Sequence, residues 1–465
     1  MADPMPIKHS QAFRFRRFLN WFPLGLSYAF LYMGRYNLTV SKVALGDLMT
    51  KEDFGIIFAA GTITYAFAFL INGPLTDRIG GKKGMLIGLT GAAIANALLG
   101  ILTHGIIKLG WQFDLTLAFS IIYAMNMYFQ SYGAVAIVKV NASWFHVRER
   151  GIFGGIFGIL ISLGIYFAFD WGSAIVEATK IIPTYDLSFF QDIIRSLTGA
   201  ANATVDQTWW VFFIPAGILV IMAIIETFIL RDTPSGAGFE DFDTADASSG
   251  EEDKPFNLGE LLKKIFTNKI LITIALIEFC TGVLRNGIMH WYPIFAKEAL
   301  KLPSDHFMRA HWGLYLMLAG VFGGMLAGVL SDKVFGSRRG PVAGLLYGAM
   351  FFGSAAMFFV LYSDPIWLGI IVIYMSMCVI GTHGMLSGTS TMDFGGRKAA
   401  ATAVGLIDGF VYLGTGFQSI CLGFLTTANW KYWPPFLVPF TIIGFLLAWR
   451  IWKEMPKAKA KKAAN

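Results

Sequence analysis

Charge is scarce in this chain. Only 14% of its 465 residues are Asp, Glu, Lys or Arg, against ~25% in an ordinary soluble domain. That deficit excludes a disordered chain and a nucleic-acid-binding globule, and it weighs heavily against a soluble multidomain enzyme. Cysteine is scarcer still. Cys280, Cys378 and Cys421 stand singly inside apolar stretches, so neither a disulfide framework nor a zinc-ligand spacing exists. The sequence shows no Ser/His/Asp set, metal-ligand cluster or phosphate-cradling glycine loop. No enzymatic activity and no cofactor are expected.

Apolar sequence is abundant: 55% of residues are hydrophobic, with 42 Phe and 13 Trp. Stretches of about 20 apolar residues cross a bilayer as helices. Twelve occur, at 18–40, 54–75, 85–103, 113–140, 151–171, 209–230, 269–292, 312–330, 342–361, 366–390, 400–426 and 433–452. None shows the alternation of a membrane barrel strand. The first is too long for a signal peptide, carries Arg35 and precedes no small-residue cleavage site, so it is expected to stay. The predicted class is an all-α membrane protein with the lipid bilayer as its solvent.

The formal charge is 37 − 30 = +7, and its placement orients the chain. Basic residues cluster in the N-terminal tail (Lys8, Arg14, Arg16, Arg17) and in the 2–3 loop (Arg78, Lys82, Lys83). They recur in the 4–5 loop (Arg148, Arg150), the 8–9 loop (Lys333, Arg338, Arg339), the 10–11 loop (Arg397, Lys398) and the tail from Lys453 to Lys462. All fall on one side, which puts both termini in the cytoplasm and makes nucleic acid an unneeded explanation. The longest opposite loop, 171–208, mixes signs and contains the sequon Asn202-Ala203-Thr204.

Residues 231–268 form a polar, acidic linker with Glu240, Asp241, Asp243, Glu251, Glu252 and Asp253. It divides the chain into six-helix halves, 1–230 and 269–465. Its end, Leu258 to Lys264, suits a short interfacial helix. The halves echo each other. Gly73-Pro74-Leu75-Thr76-Asp77-Arg78 leads to Gly81-Lys82-Lys83-Gly84, and Gly328-Val329-Leu330-Ser331-Asp332-Lys333 leads to Gly336-Ser337-Arg338-Arg339-Gly340. Each follows the second helix of its half, where glycine permits a tight reversal. The motif Asp is expected at a neighbouring helix N-terminus and the basic residues at helix C-termini, so Asp77, Arg78, Asp332 and Lys333 are candidate gating residues. Such repeated six-helix halves are the plan of the major facilitator fold. Glycines four apart, Gly151/Gly155, Gly154/Gly158 and Gly320/Gly324/Gly328, predict close helix packing.

Two arginines break apolar helices: Arg35 in helix one and Arg285 in helix seven. An intramembrane Arg costs about 2.5–3.5 kcal/mol even on the mild scale and calls for a compensating role. They hold matching places in the repeat, 77 − 35 = 42 and 332 − 285 = 47 residues before the motif aspartates. A dianion between two guanidinium groups removes their repulsion, and phosphate suits the planar fork. The competing reading is pairing with a buried carboxylate, or snorkelling. Tyr28 and Tyr32 precede Arg35 on one helix face, and Tyr65 and Tyr412 offer further phenols. Lys139, Asp170 and Glu226 lie near helix ends and are expected at the interface. Glu278 sits two turns before Arg285. Asp408 admits several readings: neutralising a cation, binding a substrate hydroxyl, carrying a proton, or structural ion pairing. His383 is either a titrating group or a packed, hydrogen-bonded one.

Several segments together resemble the organophosphate:phosphate antiporters of the major facilitator superfamily, over nearly the whole chain. They are Tyr28-x-x-x-Tyr32-x-x-Arg35-x-Asn37, Arg231-Asp232-Thr233-Pro234, Arg285-x-Gly287-Ile288-x-x-Trp291-x-Pro293-x-x-x-Lys297-Glu298, Ser331-Asp332-Lys333-Val334-Phe335, Arg397-Lys398-Ala399-Ala400 and Tyr412-Leu413-Gly414. The resemblance implies a monomeric inner-membrane carrier exchanging inorganic phosphate for an organic phosphate (glycerol phosphate, phosphoglycerate or sugar phosphate). In glycerol-3-phosphate-type members the positions of Arg35 and Arg285 hold the phosphoryl group, and Tyr28, Tyr32, Tyr65 and Tyr412 line that site. The chain departs at Phe69, Ile161, Ala134, Gly282 and Gly381, where such members have Lys, His, Trp and two Tyr, while Asp408 and His383 replace uncharged residues. The expected pocket keeps the phosphate clamp and alters the rest. A sugar-phosphate sensor of the same fold and a proton-coupled importer are the rival readings.

Overall fold

The computed structural model describes residues 9–146, 150–242, 267–336, 338–390 and 400–454. The centre of the acidic linker, its expected interfacial helix, Arg148, Arg397, Lys398 and the lysines beyond residue 454 lie outside the described residues.

Every predicted stretch is helical. They are α1 (Gln11–Leu45), α2 (Lys51–Ile79), α3 (Gly81–Leu109), α4 (Leu115–Trp144), α5 (Gly158–Ala178) and α6 (Trp210–Ile229). The second set is α7 (Lys269–Glu298), α8 (Trp312–Val334), α9 (Arg339–Val360), α10 (Pro365–Ser387), α11 (Ala400–Ala428) and α12 (Trp433–Arg450). Hydropathy and length alone mark eleven described helices as able to span a membrane. The twelfth is α1, whose 35 residues are diluted by Arg14, Arg16, Arg17, Arg35 and Lys42. Several helices outrun their apolar stretch, because a helix continues past the hydrocarbon as long as polar caps satisfy its ends. Asp114 caps α4 and Asp364 caps α10 in this way.

Helices α1 to α6 pack mainly among themselves, as do α7 to α12. The two sets meet along α2 with α11, along α5 with α8, and where α1 reaches the end of α7. Glycine decides the closest approaches. A Cβ on Gly282 would collide with the Val411 carbonyl, and one on Gly414 with the Phe279 carbonyl, so α7 and α11 touch backbone to backbone. Of the glycine stripes expected to pack, Gly320 does, with a Cβ there lying 3.0 Å from Ser162 Oγ. Gly324, Gly328 and Gly158 face no neighbour within 4 Å. The surroundings of Gly151, Gly154 and Gly155 lie outside the described residues, and the described contact between α5 and α8 falls toward the end of the molecule opposite the termini, the far end.

The repeated motif forms the α2–α3 and α8–α9 turns, with Gly80 at φ +91° and Gly336 at φ +60° supplying left-handed residues. Among the described contacts both motif aspartates, expected at helix N-termini, pair with basic side chains. Asp77 pairs with Lys139 of α4 at 2.8 Å, and Asp332 with Arg339 at 3.4 Å. The carboxylate at the α3 N-terminus belongs to Asp232, which accepts the Lys82 amide hydrogen at 2.7 Å. The basic half of that expectation holds at Lys82, whose Nζ donates to the Thr227 carbonyl near the end of α6 at 2.6 Å. Arg78 and Lys333 are exposed.

Between α5 and α6 a short helix, Phe189–Thr198, is amphipathic the wrong way round for a soluble protein. Its polar side grips α5: Arg195 donates to the carbonyls of Ala178, Lys180 and Ile181, and buried Gln191 to that of Ala174. Phe189, Phe190 and Leu197 are exposed. An outward apolar face at the end of a membrane span is the pattern of a helix lying in the lipid interface.

Candidate functional site

Arg35 lies past the middle of α1 and is fully buried. Its donors are satisfied by neutral acceptors: Nε by Gln130 Oε1 at 3.0 Å, Nη1 by the Tyr412 hydroxyl at 2.8 Å and Nη2 by the Tyr65 hydroxyl at 3.0 Å. The guanidinium sits over the rings of Tyr32 at 4.6 Å and Tyr65 at 4.5 Å, a cation–π arrangement. Tyr28 packs edge-on against Tyr32, with ring centroids 5.3 Å apart. The four tyrosines singled out in the sequence thus surround one arginine. Behind it, Gln130 donates to Asn126, and Asn126 and Asn96 both donate to the Gly34 carbonyl. This amide network fixes the turn of α1 that presents Arg35. Gln130 was not among the expected site residues, because an uncharged amide in α4 carries no signal until its partner is known.

Arg285 is also buried, and its Nε finds no hydrogen-bond partner. Tyr32 and Tyr412 lie within electrostatic reach of both arginines. Among the described residues no carboxylate oxygen comes within 4 Å of either guanidinium. Structural ion pairing, the bland reading of a buried arginine, is therefore absent from their described surroundings.

Next to Arg285 stands a second polar group. Fully buried Glu278 shares a hydrogen with His383 Nδ1 at 2.7 Å, and Asp408 accepts the Ser387 hydroxyl at Oδ1 at 2.5 Å. His383 is thus hydrogen-bonded to an acidic side chain. The structure brings Glu278, His383, Asp408 and Arg285 within electrostatic reach of one another.

Toward the far end, a ring layer closes over the arginines. His290 is fully buried, shares a hydrogen with Thr39 at 2.7 Å, and packs against Tyr36 and Phe58 at 4.8 and 4.4 Å. Beyond it lies a cavity of about 820 Å³ whose lining includes Asp170, Glu177, Lys297 and Arg309. Three links join the two helix sets around it. Lys42 pairs with Glu298 at 2.7 Å, Lys297 donates to the Val43 carbonyl, and Lys51 donates to the Thr426 carbonyl at 2.9 Å. A fourth comes from Asp170, held in a π-helical turn (Phe167–Trp171) of α5. Its carboxylate accepts the amides of Gly313 at 2.6 Å and Leu314 at 3.1 Å, in the first turn of α8. Asp170 and Glu226, expected at the interface, are both buried inside the protein, and Glu226 accepts the Ser27 hydroxyl at 2.9 Å. Lys139 alone is half exposed.

Fold and site together define a polytopic α-helical membrane protein with charged side chains enclosed between two sets of helices. The chain belongs to the Major Facilitator Superfamily, whose sequence profile matches residues 24–419. It is 26% identical over 446 residues to the glycerol-3-phosphate transporter of Bacillus subtilis (strain 168), covering 91% of this chain and 89% of that one. It is 23% identical over 405 residues to the membrane sensor protein UhpC of Salmonella typhimurium (strain LT2), covering 85% and 82%. Among solved structures it resembles a bacterial homolog of the human lysosomal transporter Spinster in an inward-facing, occupied conformation. The TM-score is 0.73 at 13% identity, over 95% of this chain and 97% of that one, which speaks for the fold alone.

Proposed function

We propose that the chain exchanges an organic phosphate ester for inorganic phosphate across the cytoplasmic membrane by alternating access. The observation that carries this is the pair Arg35 and Arg285: buried, at matching places in the repeat, sharing tyrosines, and with no carboxylate in ion-pairing range among the described residues. A phosphate dianion offers each guanidinium fork two oxygens, in place of phenols that accept only one hydrogen bond each. Similarity to a glycerol-3-phosphate transporter supports the substrate class. The two bodies, 1–230 and 269–465, rock about the bound phosphate. The far end is the outer gate, shut by Lys42–Glu298 and by Asp170 on α8. The basic loops place the termini in the cytoplasm, and the pairs Asp77–Lys139 and Asp332–Arg339 brace the motif loops that form the inner gate.

The test is counterflow of labelled phosphate in proteoliposomes. Arg35→Lys and Arg285→Lys keep charge and lose the fork, and each is expected to abolish exchange. Wild-type rates in both variants sink the clamp. Similarity to a membrane sensor protein favours a second reading, ligand binding without counterflow. Uptake driven by a pH gradient with no internal phosphate would instead assign His383 and Asp408 to proton coupling.

A further inference from the structure

The end of the site formed by α7, α10 and α11 is made of hydrogen-bond acceptors. Glu278 is fully buried; its Oε2 shares a hydrogen with His383, and its Oε1 has no partner. A histidine that donates from Nδ1 to an ionised carboxylate keeps Nε2 as a lone-pair acceptor. Asp408 stands beside them, and its Ser387 neighbour has already spent its hydroxyl hydrogen on Oδ1. On the same helix, seven residues on, Arg285 leaves its buried Nε as an unpartnered donor. Seven residues are two turns on one face, with a rise of about 10 Å. Both side chains lean toward the N-terminus, and Arg285, the longer of the two, reaches back along the face that it shares with Glu278. An idle donor and an idle acceptor facing along one helix fit a ligand of a few carbons with acceptors at one end and donors at the other.

Charge says which donors. With both carboxylates ionised and His383 neutral, Arg35 and Arg285 against Glu278 and Asp408 sum to zero. A phosphate dianion alone leaves the enclosed site at minus two, and burying unpaired charge is costly. A hydroxyl body does nothing for that sum and brings an acceptor along with its donor. A primary ammonium brings a positive charge, three donors and no acceptor.

We propose that the carried phosphate ester bears a primary ammonium group. Glu278, His383 and Asp408 bind it, while Arg35 and Arg285 hold the phosphoryl group. The ligand class is an amino sugar phosphate or an aminoalkyl phosphate. This rests on the phosphate-binding reading above and narrows its substrate.

The experiment compares two isosteric pairs on the purified full chain: glucosamine 6-phosphate against glucose 6-phosphate, and 2-aminoethyl phosphate against 2-hydroxyethyl phosphate. Binding is read by thermal shift in detergent, and exchange by competition with labelled phosphate in proteoliposomes. The amine is expected to bind at least tenfold more tightly than the hydroxyl partner in at least one pair. N-acetylation of glucosamine 6-phosphate removes the advantage. In Glu278→Gln the amine-to-hydroxyl ratio falls toward one, and Asp408→Asn gives the same readout should the first variant fail to fold. Equal binding within both pairs, or no binding of either amine, overturns the inference; if phosphate self-exchange persists, the transporter reading stands without it. An amine preference without counterflow keeps the inference and turns the function to sensing.

Discussion

Asp170→Asn tests whether the far end is a gate. The carboxylate reaches from α5 to two amides in the first turn of α8, at 2.6 and 3.1 Å, across the junction of the helix sets. Those amides are otherwise unsatisfied within the helix, and the N-terminus of α8 carries partial positive charge. Asparagine keeps one acceptor oxygen and loses the charge. Caps of this kind are worth about 0.5–2 kcal/mol, and a partly buried charge at a helix terminus up to ~2 kcal/mol. A loss of about 1–2 kcal/mol shifts a two-state equilibrium by about 5–30-fold. The link crosses between the sets, so the loss falls on the closed far end rather than on either set alone. Nitroxides at exposed Leu109 and Phe307, on opposite sets at the far end, report the separation by pulsed dipolar spectroscopy. Cys280, Cys378 and Cys421 are free thiols and are replaced first. The variant is expected to populate longer distances at the expense of the closed peak. A distribution that superimposes on the parent, especially with a lowered Tm, refutes the gate and makes Asp170 a plain folding contact.

Three further outcomes are expected. Reversing either Lys42 or Glu298 sets like charges across a 2.7 Å contact with Lys42 almost wholly enclosed, so Lys42→Glu and Glu298→Lys each lower phosphate exchange severalfold; the double swap recovers it, and failure to recover removes the pair from the gate. Gly282→Ala drives a methyl into the Val411 carbonyl and costs about 1–3 kcal/mol or more, whereas Gly324→Ala meets nothing within 4 Å and is near neutral, as thermal unfolding would show. Gln130→Leu leaves Arg35 Nε with no acceptor, which costs about 1–3 kcal/mol; Tm falls without phosphate, and added phosphate restores part of the loss.

Helix number and the two arginines were legible because both are one-residue or one-segment signals. A run of apolar residues needs no partner to be recognised, and a guanidinium inside it is conspicuous by itself. Gln130, His290 and Lys42 gave no such signal. Each acquires meaning only from a residue on another helix: Arg35, Thr39 and Glu298 respectively. The motif loop misled for a related reason. Spacing showed that an acid belongs near the α3 N-terminus, but Asp232, 150 residues after Lys82, fills that place and leaves Asp77 to Lys139. Glycine spacing failed differently. A stripe of four-apart glycines marks a smooth face, and smoothness alone does not say whether that face is covered. Gly320 is covered by Ser162 and Gly324 is not, while the backbone contacts of α7 with α11 fall at Gly282 and Gly414, outside any stripe singled out.

That uneven coverage itself bears on mechanism. Backbone-to-backbone contact of α7 with α11 lies within one helix set, where rigidity is useful. Between the sets, α5 meets α8 through a carboxylate on amides, Gly313 against the Tyr166 backbone and Gly320 against Ser162, while α2 meets α11 backbone to backbone where a Cβ on Gly55 would collide with the Ser419 carbonyl. Polar links such as the carboxylate on amides break at a cost of a few kcal/mol and re-form in a second arrangement, which packed apolar cores do not do. Arg35 is locked to its own set by Gln130 and to the opposite set only by the Tyr412 hydroxyl. A phosphate that displaces a phenol from Arg35 therefore removes a link between the sets at the moment it supplies a stronger one. On the proposed phosphate-exchange reading, Arg35 is one side chain through which ligand binding and movement of the sets are coupled.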